Sequence, residues 1–483
     1  ELFFEKNTRE LQNIYNSLEN SKTVNVICVS SMTFDTILTE AIVGLDHYEM
    51  RCLWEIQRAK QENVHVHFFS KKTVLEEARQ HYFEVFNFSQ EQIKRVHFYS
   101  VEQILNQSDL LWDLSDYILK DKSVGDVFGS IALKHNAYLE YFVLTKKELE
   151  IAKKHNLPTY WAQSCTEYIK TKSGNRKALE SVTTLPRGFG DLFSVEDVVK
   201  SILRLHKNHN TMEYVVKLND GVSGDGNGFV KLPSKKINES VIRQALIETE
   251  FVSTEMTYTK FFREFAKIGG VIEEFICGAK KYSPSVQVFL KPDNSFEILS
   301  SHEQILDETG SRFLGARFPA YSFHYNEILT EAKKVAAKLL EYKIYGVVGL
   351  DFLTVPSKDL KIFLIEINLR KGGTTHPFWS AKAALNAYVC QNSGKLISTD
   401  GKPRIYRSND NIFSNSLSRP RSIKRLIDQL RSSGLIFDQV SKKGIILHMI
   451  SSWLPIGKIG ATFIGETDEE IKKLEEKFIN SMV

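Results

Sequence analysis

The sequence predicts a multidomain protein that combines an α/β domain with an α+β region. The chain has 483 residues, more than one hydrophobic core usually holds, so we expect two or three domains. Residues 1–125 alternate strand-like runs with helical patterns, which is typical of an α/β domain with a parallel sheet. Residues 212–378 are rich in strand-like runs and glycine turns, which favours hairpins.

The first predicted domain spans residues 1–125. Its strand-like runs are Val24–Val29, Val64–Phe69 and Val96–Tyr99. No Gly-x-Gly turn follows the first of these runs, so the sequence does not indicate a dinucleotide-binding fingerprint.

Three further segments complete the predicted organisation. Residues 126–210 are interpreted as a helix-rich lobe, and residues 211–390 as a strand-rich core that carries most of the candidate chemistry. Residues 391–483 begin with a polar stretch and are predicted to form a closing α/β segment.

Charge and composition exclude several classes of protein. The chain carries 63 basic and 59 acidic side chains, a net charge of +4, so we expect no nucleic-acid partner. No apolar run approaches the roughly 18 residues of a membrane span, and no signal-peptide pattern opens the sequence, so neither a membrane location nor export is expected. The cysteines lack metal-like spacing, which favours free thiols and a cytoplasmic location. They are Cys28, Cys52, Cys165, Cys277 and Cys390.

The stretch "FLIEINLRKGGTTHP" (363–377) places a carboxylate and an amide on an otherwise apolar strand. Side chains alternate between the two faces of a strand, so Leu364, Glu366 and Asn368 are predicted to share one face. The run "YGVVGLDFLTV" reads as a preceding strand, and a turn at 357–360 would make the pair an antiparallel hairpin.

In that hairpin Asp351 falls opposite Glu366. Two like charges facing each other across a ladder are unfavourable, which indicates a cation between them. Mg²⁺ prefers such oxygen ligands and completes its shell with water and substrate phosphates. An edge hairpin with a wet polar face is the alternative that these two residues alone leave open.

The stretch "YVVKLNDGVSGDGNGFVKL" (214–232) predicts a hairpin with a glycine-rich loop. Glycines at 224, 226 and 228 would allow backbone amides to approach phosphate oxygens, and Lys217 would add a positive charge. The pattern matches neither a Walker A loop nor Gly-x-Gly-x-x-Gly, and a flexible surface hairpin stays open as the alternative. The candidate glycines are Gly224, Gly226 and Gly228.

A third stretch, "GGVIEEFICG" (269–278), is an apolar strand that contains Glu273 and Glu274. A carboxylate and backbone groups at the end of such a strand could bind an adenine amino group. A half-buried strand with a wet glutamate edge is the alternative interpretation.

The order of these motifs resembles the ATP-grasp superfamily, in which two α+β lobes hold a nucleotide. The order is Lys172 in "TKSGNRKAL", Lys217 with its glycine loop, the "EEFI" linker, then Asp351 and Glu366-x-Asn368. Within that superfamily, "KLNDGVSGDGNG", "GARFPA" and "EINLRKGGTTHPF" resemble the pheganomycin-type peptide ligases. The resemblance implies a parallel-sheet α/β (pre-ATP-grasp) domain followed by a two-lobed ATP-grasp fold.

The resemblance also implies roles in nucleotide binding. Lys172 and Lys217 would contact the phosphates of ATP, and Glu273 with the backbone of Glu274 and Ile276 would bind the adenine. Many ATP-grasp enzymes place an acidic residue for the ribose after this linker, where this sequence has "GAKKYS", so the ribose contact stays open.

By the same resemblance, Asp351, Glu366 and Asn368 would hold Mg²⁺, for which Mn²⁺ can substitute. Arg370 is the first candidate to bind the substrate carboxylate or acyl phosphate in a two-pronged hydrogen bond, and Arg317 is the second.

The expected activity is ATP-dependent ligation of a carboxylate to an amine through an acyl phosphate. The substrates would be amino acids or peptides. His302 is a candidate base for the amine, although an isolated histidine is more often structural. A phosphotransferase and a nucleotide-binding regulator without chemistry are the alternative classes, and formation of a homodimer stays open.

Overall fold

The computed structural model describes residues 2–33, 45–221, 224, 226–233, 236–308, 310, 313–413 and 422–481. Its α-helices are Leu2–Glu19, Glu76–Val85, Gln90–Ile93, Val101–Leu105, Leu114–Lys120, Lys122–Ala132, Lys146–Lys154, Thr166–Ile169, Lys172–Leu179, Val195–His209, Glu239–Ile247, Tyr258–Ile268, Ser322–Glu341, Thr375–Leu385, Ile423–Ser432, Trp453–Ile456 and Asp468–Ser481. Its 3₁₀ helices are Leu45–Lys60 and Ile450–Ser452.

A parallel sheet forms the N-terminal part of the molecule. Its strands are β1 (Val24–Val29), β2 (Val64–Ser70), β3 (Val96–Ser100) and β4 (Ala137–Tyr141), in the order β3-β2-β1-β4. The predicted strands and their parallel pairing are confirmed. All residues of β1 are buried, as expected for a sheet that is covered on both faces. Because β4 pairs with β1, this sheet extends beyond residue 125, where the first domain was predicted to end.

An antiparallel sheet forms a second layer with its own core. Its strands are β5 (Gly188–Leu192), β6 (Glu213–Leu218), β7 (Asn227–Lys231), β8 (Glu250–Phe251) and β9 (Gly270–Glu274), in the order β5-β9-β6-β7-β8. Tyr214 and Val216 of this sheet pack in a hydrophobic cluster with residues of helices Val195–His209 and Tyr258–Ile268.

The predicted helix-rich lobe at 126–210 is therefore wrong in part, since β4 and β5 lie within it and join different sheets. The sequence "GFGDL" of β5 gives little strand signal, and in the structure only Leu192 of that strand is buried.

A larger antiparallel sheet completes the fold. Its strands are β10 (Pro284–Leu290), β11 (Phe296–Leu306), β12 (Phe313–Phe318), β13 (Gly346–Val355), β14 (Lys361–Asn368), β15 (Tyr388–Val389), β16 (Leu396–Ile397), β17 (Pro403–Phe413), β18 (Gly444–His448) and β19 (Lys458–Gly465). The order is β14-β13-β10-β11-β12-β17-β16-β15, and β19 pairs with both β17 and β18.

The large antiparallel sheet and the N-terminal parallel sheet share one hydrophobic core. Val26 of β1 and Leu350 of β13 belong to the same cluster of buried side chains, which is separate from the cluster under β5–β9. The C-terminal strands β18 and β19 extend the large sheet and contribute to the same core. The fold thus contains two bodies with separate cores, and residues of both line one cavity. Among the described helices, none is long and apolar enough to cross a membrane.

Candidate active site

A cavity of about 1650 Å³ lies between these bodies. It is larger than the pockets of roughly 300–1,000 Å³ that usually hold one small ligand, so it has space for a nucleotide and further substrate. Most of the residues predicted for the site line it. They are Lys217, Gly224, Glu273, Glu274, Ile276, Arg317, Asp351, Glu366, Asn368 and Arg370. Lys172 lines a small adjoining cavity together with Lys217, Glu273 and Glu366.

The pairing of β13 with β14 places Asp351 opposite Glu366, as the sequence predicted. The predicted turn at 357–360 is one residue too short, because Val355 pairs with Lys361 and the turn spans 356–360. A bulge between Asp351 and Phe352 offsets this difference, since Phe352 pairs with Leu364. Ile365 is the extra residue on β14. Bulges often re-aim side chains next to functional sites, and this one brings the two carboxylates to the same position along the hairpin.

The bulge also overturns part of the predicted alternation. Leu364 was expected to share a face with Glu366 and Asn368, but it is buried in the core with Ile367. Ile365, Glu366 and Asn368 line the cavity instead. A strict period of two does not continue through a bulge, which explains why the alternation is wrong at Leu364.

The carboxylate of Asp351 is held by two amides. Asn368 Nδ2 donates to Asp351 Oδ2 at 2.8 Å, and Gln304 Nε2 donates to Oδ1 at 2.8 Å. Burial, followed by the negative charge of Glu366, raises the pKa of Asp351 from 3.8 to about 6. Additional positive charge at this position would favour the ionised carboxylate.

The donor set beside Asp351 fits a hard divalent cation. Asp351 and Glu366 face each other and Asn368 lies beside them, and oxygen ligands of this kind are what Mg²⁺ prefers. No group of three or more His, Cys, Asp and Glu side chains suited to a metal occurs within the described ranges. A cation here would therefore need further oxygen ligands, such as nucleotide phosphates or water.

Lys172 contacts both bodies, since its amide donates to the carbonyl of Asn219 just after β6 at 3.2 Å and its side chain reaches β14. Thr171 caps the helix Lys172–Leu179 by accepting a hydrogen bond from the amide of Gly174 at 3.0 Å, which places Lys172 in the first turn. Lys172 Nζ lies 3.2 Å from Glu366 Oε1. Asn175 Oδ1 of the same helix accepts a hydrogen bond from the amide of Ile367 at 2.9 Å. The lysine is thereby fixed next to the carboxylate pair.

Lys217 and Glu273 form a buried ion pair on neighbouring strands β6 and β9. Lys217 Nζ lies 2.6 Å from Glu273 Oε2, and Arg176 Nη2 lies 2.9 Å from Glu273 Oε1. Burial by itself would raise the pKa of Glu273, but the positive charges of Lys217 and Arg176 outweigh it and lower the pKa. Both carboxylate oxygens of Glu273 are therefore engaged, which conflicts with the predicted contact of that carboxylate with adenine.

The linker after β9 lines the cavity through Glu274 and Ile276. The side chain of Glu274 accepts hydrogen bonds from Arg187, from the amide at 2.9 Å and from Nε at 2.8 Å. The amide of Glu274 donates to the carbonyl of Arg187 at 2.8 Å. The amide of Glu274 is thus occupied, whereas Ile276 lies beyond the end of β9.

The glycine hairpin is present, but its glycines differ in position. Gly224 lies in the loop between β6 and β7 and has a φ of +85°, which favours glycine. Gly226 directly precedes β7, and neither it nor Gly228 lines the cavity. Gly228 lies within β7, where a Cβ atom would come within 2.9 Å of the Phe251 ring. Close packing against β8 thus requires a glycine at this position, and the predicted phosphate contact of Gly228 stays a prediction.

Arg370 follows β14 and faces the carboxylate pair. Burial lowers its pKa, and the charges of Glu366 and Asp351 oppose that effect. The next residue, Lys371, is buried and bridges Glu55 Oε1 at 2.5 Å and Glu140 Oε2 at 2.8 Å. Because Glu55 and Glu140 belong to the N-terminal part of the fold, this network fixes the loop that carries Arg370.

Arg317 and His302 are less available than predicted. Arg317 donates from Nε and Nη2 to the carboxylate of Asp468, both at 2.8 Å, so its fork is already occupied. His302 is fully buried, its Nε2 lies 2.7 Å from the hydroxyl of Tyr406, and burial lowers its pKa to about 3. Since His302 does not line the cavity, the structural interpretation of this histidine fits better than the catalytic one.

Many cavity residues were not predicted from the sequence, and two of them are basic residues from distant parts of the chain. Arg51 comes from the 3₁₀ helix Leu45–Lys60, and Lys458 is the first residue of β19. Neither residue lies in a recognisable motif, and the two are far apart in the chain, so no local signal could have brought them together.

Comparison with known families supports an ATP-grasp fold. A family model described as IQCH-like ATP-grasp matches residues 235–371, which include Glu273, Asp351, Glu366, Asn368 and Arg370. A second model, described as the PGM1 C-terminal domain, matches residues 425–478.

Two curated relatives share part of the sequence. L-propargylglycine–L-glutamate ligase from Streptantibioticus cattleyicolor is 27% identical over 210 residues, which cover 44% of this chain and 42% of that protein. IQ motif-containing protein H from Danio rerio is 22% identical over 270 residues, which cover 48% of this chain and 26% of that protein. The matched regions thus span less than half the length of either curated relative.

Solved structures resemble almost the whole chain. An ADP complex of N5-carboxyaminoimidazole ribonucleotide synthetase has a TM-score of 0.54 at 13% identity, covering 95% of this chain and 96% of that one. The biotin carboxylase–β,γ-ATP complex from Campylobacter jejuni has a TM-score of 0.55 at 12% identity, covering 94% and 90%. This chain therefore contains an ATP-grasp domain, with a parallel-sheet domain before it. The fold predicted from the order of its motifs is confirmed.

Proposed function

We propose that this protein is an ATP-dependent carboxylate–amine ligase that forms an amide bond between amino acids or peptides. The observation that carries the proposal is the facing pair of Asp351 and Glu366 beside Lys172 and Arg370. The site combines two carboxylates suited to a cation with positive side chains suited to phosphate and carboxylate. Phosphoryl transfer to a carboxylate requires this combination, because two anions must approach each other.

The reaction has two steps. A carboxylate oxygen of the acid attacks the γ-phosphorus of ATP, the bond from that phosphorus to the bridging oxygen breaks, and ADP leaves. The amine nitrogen then attacks the acyl carbon, the bond from that carbon to the phosphate oxygen breaks, and phosphate leaves with the electron pair. The nitrogen releases a proton to solvent.

The chain's own residues would divide the binding of ATP among them. Lys172, Lys217 and the backbone at Gly224 would bind phosphates, and for Lys217 this means exchanging its contact with Glu273 for a phosphate. Ile276 and the backbone of the linker would contact adenine. Ion pairing of Glu273 with Arg176 would leave that carboxylate as a partner that orients Lys217.

Asp351, Glu366 and Asn368 would hold Mg²⁺, or Mn²⁺ in its place, which supplies positive charge beside the transferring phosphate. Arg370 would bind the acid's carboxylate and then the acyl phosphate through paired N–H donors. Arg317 would contribute only if it exchanged Asp468 for substrate.

The relative from Streptantibioticus cattleyicolor is named for joining two amino acids, which supports amino acids as the substrate class here. We place the activity in the cytoplasm, where ATP is available and where the free cysteines would stay reduced.

The test is to incubate the protein with ATP, Mg²⁺ and pooled L-amino acids and dipeptides. A ligase forms ADP and phosphate together with a product whose mass is that of the two substrates less one water. A phosphotransferase would give ADP and a stable phosphorylated acceptor, and a regulator without chemistry would give no ADP. Either of these last outcomes would overturn the ligase proposal.

A further inference from the structure

A buried lysine lines the cavity without an acidic partner. Lys458 is 5% exposed, and its ammonium donates a hydrogen bond to the Tyr48 hydroxyl. It also lies 4.8 Å from the centre of the Tyr48 ring and 5.6 Å from that of Phe413. No carboxylate pairs with it in the part of the chain that the structure describes. Burying an unpaired ammonium is costly, so the position favours an anion that arrives with a ligand.

Arg51 lines the same cavity from the N-terminal part of the fold. Its Nη2 lies 2.5 Å from Asp410 Oδ2, and Asp410 Oδ1 is 3.0 Å from His376 Nε2. The Nε of Arg51 is buried and has no hydrogen-bond partner within the described ranges. Asp410 therefore balances the charge of Arg51, and the charge of Lys458 is in excess.

Arg51 and Lys458 lie against the same Tyr48 ring, 5.4 Å and 4.8 Å from its centre, and Arg51 lies near Arg370. The positive charge of Arg51 is near enough to lower the pKa of Arg370, in addition to the larger effect of burial. Lys217 belongs to β6 and Lys172 to a helix beside it, whereas Lys458 begins β19 of the large sheet. The cavity thus has a phosphate-binding side and a second basic side, with Arg370 beside the carboxylate pair.

We propose that Lys458 and Arg51 form a subsite for the unreacted carboxylate of the amino acid or peptide that supplies the amine. This inference rests on the proposed ligase function. The reacting carboxylate of the acid is consumed, but an amino acid that supplies the amine keeps its own carboxylate throughout. Holding that carboxylate would orient the amine toward the acyl carbon and would raise its effective concentration there.

The first test uses the parent protein alone, so it does not depend on the folding of a variant. Once an acid and an amine have been identified among the pooled amino acids and dipeptides, the amine is compared with its C-terminal carboxamide. We expect the KM of the carboxamide to be at least tenfold higher than that of the free carboxylate. Equal KM values would overturn the subsite.

The second test uses Lys458→Met, which keeps an unbranched apolar chain and removes the charge. We expect the KM for the amine to rise at least tenfold and the preference for the free carboxylate over the carboxamide to disappear. Lys443→Met is the matched control, because Lys443 pairs with Glu466 and Glu470 outside the cavity. The control should keep the parent's preference. A rise in the KM of the acid in place of the amine would overturn the assignment.

Hydroxylamine separates this inference from the proposed function. It is an amine without a carboxylate, and it traps an acyl phosphate as a hydroxamate. The ratio of amide to hydroxamate should fall at least tenfold in Lys458→Met and stay at the parent's value in Lys443→Met. Hydroxamate formed by the parent, with an unchanged ratio in Lys458→Met, would overturn the subsite and leave the ligase function standing. Neither hydroxamate nor amide from the parent would overturn both.

Discussion

Replacing Glu366 by glutamine removes one negative charge from the carboxylate pair and keeps the size of the side chain. The proposed site requires that charge, because an amide binds Mg²⁺ more weakly and cannot offset the charge of a cation. We expect ADP formation to fall at least about a hundredfold, which corresponds to about 2.7 kcal/mol in the barrier.

The expected change in stability follows from two opposing contacts. Burial and then the charge of Glu366 raise the pKa of Asp351 from 3.8 to about 6, so ionisation of this carboxyl is disfavoured by about 3 kcal/mol. Burial is the larger cause, and removing the charge of Glu366 would recover about 1 kcal/mol. The variant also loses the 3.2 Å contact of Glu366 with Lys172, worth about 0.5–1 kcal/mol for a partly exposed pair. These contributions nearly cancel.

The assay measures ADP formation and the melting temperature, with and without Mg²⁺-ATP. Without ligand, the variant should melt within about 3 °C of the parent. With Mg²⁺-ATP, the parent should gain thermal stability and the variant should gain less. Glu341→Gln serves as the control, since Glu341 forms a surface pair with Lys338. ADP formation by Glu366→Gln at the parent's rate would refute the assignment of these carboxylates.

Three further predictions follow from the same contacts. Lys217→Met should weaken ATP binding about 10- to 100-fold by calorimetry, and it should also lower the melting temperature, since Glu273 loses a buried partner; unchanged affinity would contradict the phosphate role. Asp351→Asn removes a carboxyl whose pKa in the folded protein, about 6, exceeds its value in the unfolded chain. We therefore expect the free energy of unfolding of the variant to exceed the parent's by about 1–3 kcal/mol above pH 6, and to decrease less than the parent's as the pH rises from 4 to 6. Urea unfolding at pH 4.5 and 7.5 measures this, and an unchanged slope would count against it. Gly228→Ala should destabilise the protein by about 1–3 kcal/mol, because the new Cβ would crowd the Phe251 ring, and the ATP affinity of the folded protein should stay the same. Loss of ATP affinity without loss of stability would instead support the predicted phosphate contact of Gly228.

The hairpin of β13 and β14 could be predicted because its determinants are local. A short turn joins the strands, and Asp351 and Glu366 are only 15 positions apart, so turn length brings the two carboxylates within one residue of facing each other. The bulge at Ile365 was not predictable from alternation. It depends on how Leu364 and Ile367 both reach the core, which is a property of packing in three dimensions.

The ion pairs of Glu273 also could not be predicted from the sequence. Its place at the end of an apolar strand could be read from the sequence, and its cavity-lining position agrees with that. The ion-pair partners of Glu273 could not be predicted, since Lys217 lies 56 positions away and Arg176 lies 97 positions away. The pairing of these charges follows from the adjacency of β6 and β9 and from the helix that packs beside them.

The sequence by itself determined the ATP-grasp fold, the order of its motifs and the hairpin that carries Asp351 and Glu366, because these depend on local periodicity, turn length and motif spacing. Only the tertiary structure decided which charges are already paired and which elements complete the cavity. Tyr48 and Lys458 are 410 positions apart, and their contact arises because the N-terminal part of the fold and β19 share one hydrophobic core. Contacts between distant segments are set by the packing of whole elements, for which the single chain carries no local pattern.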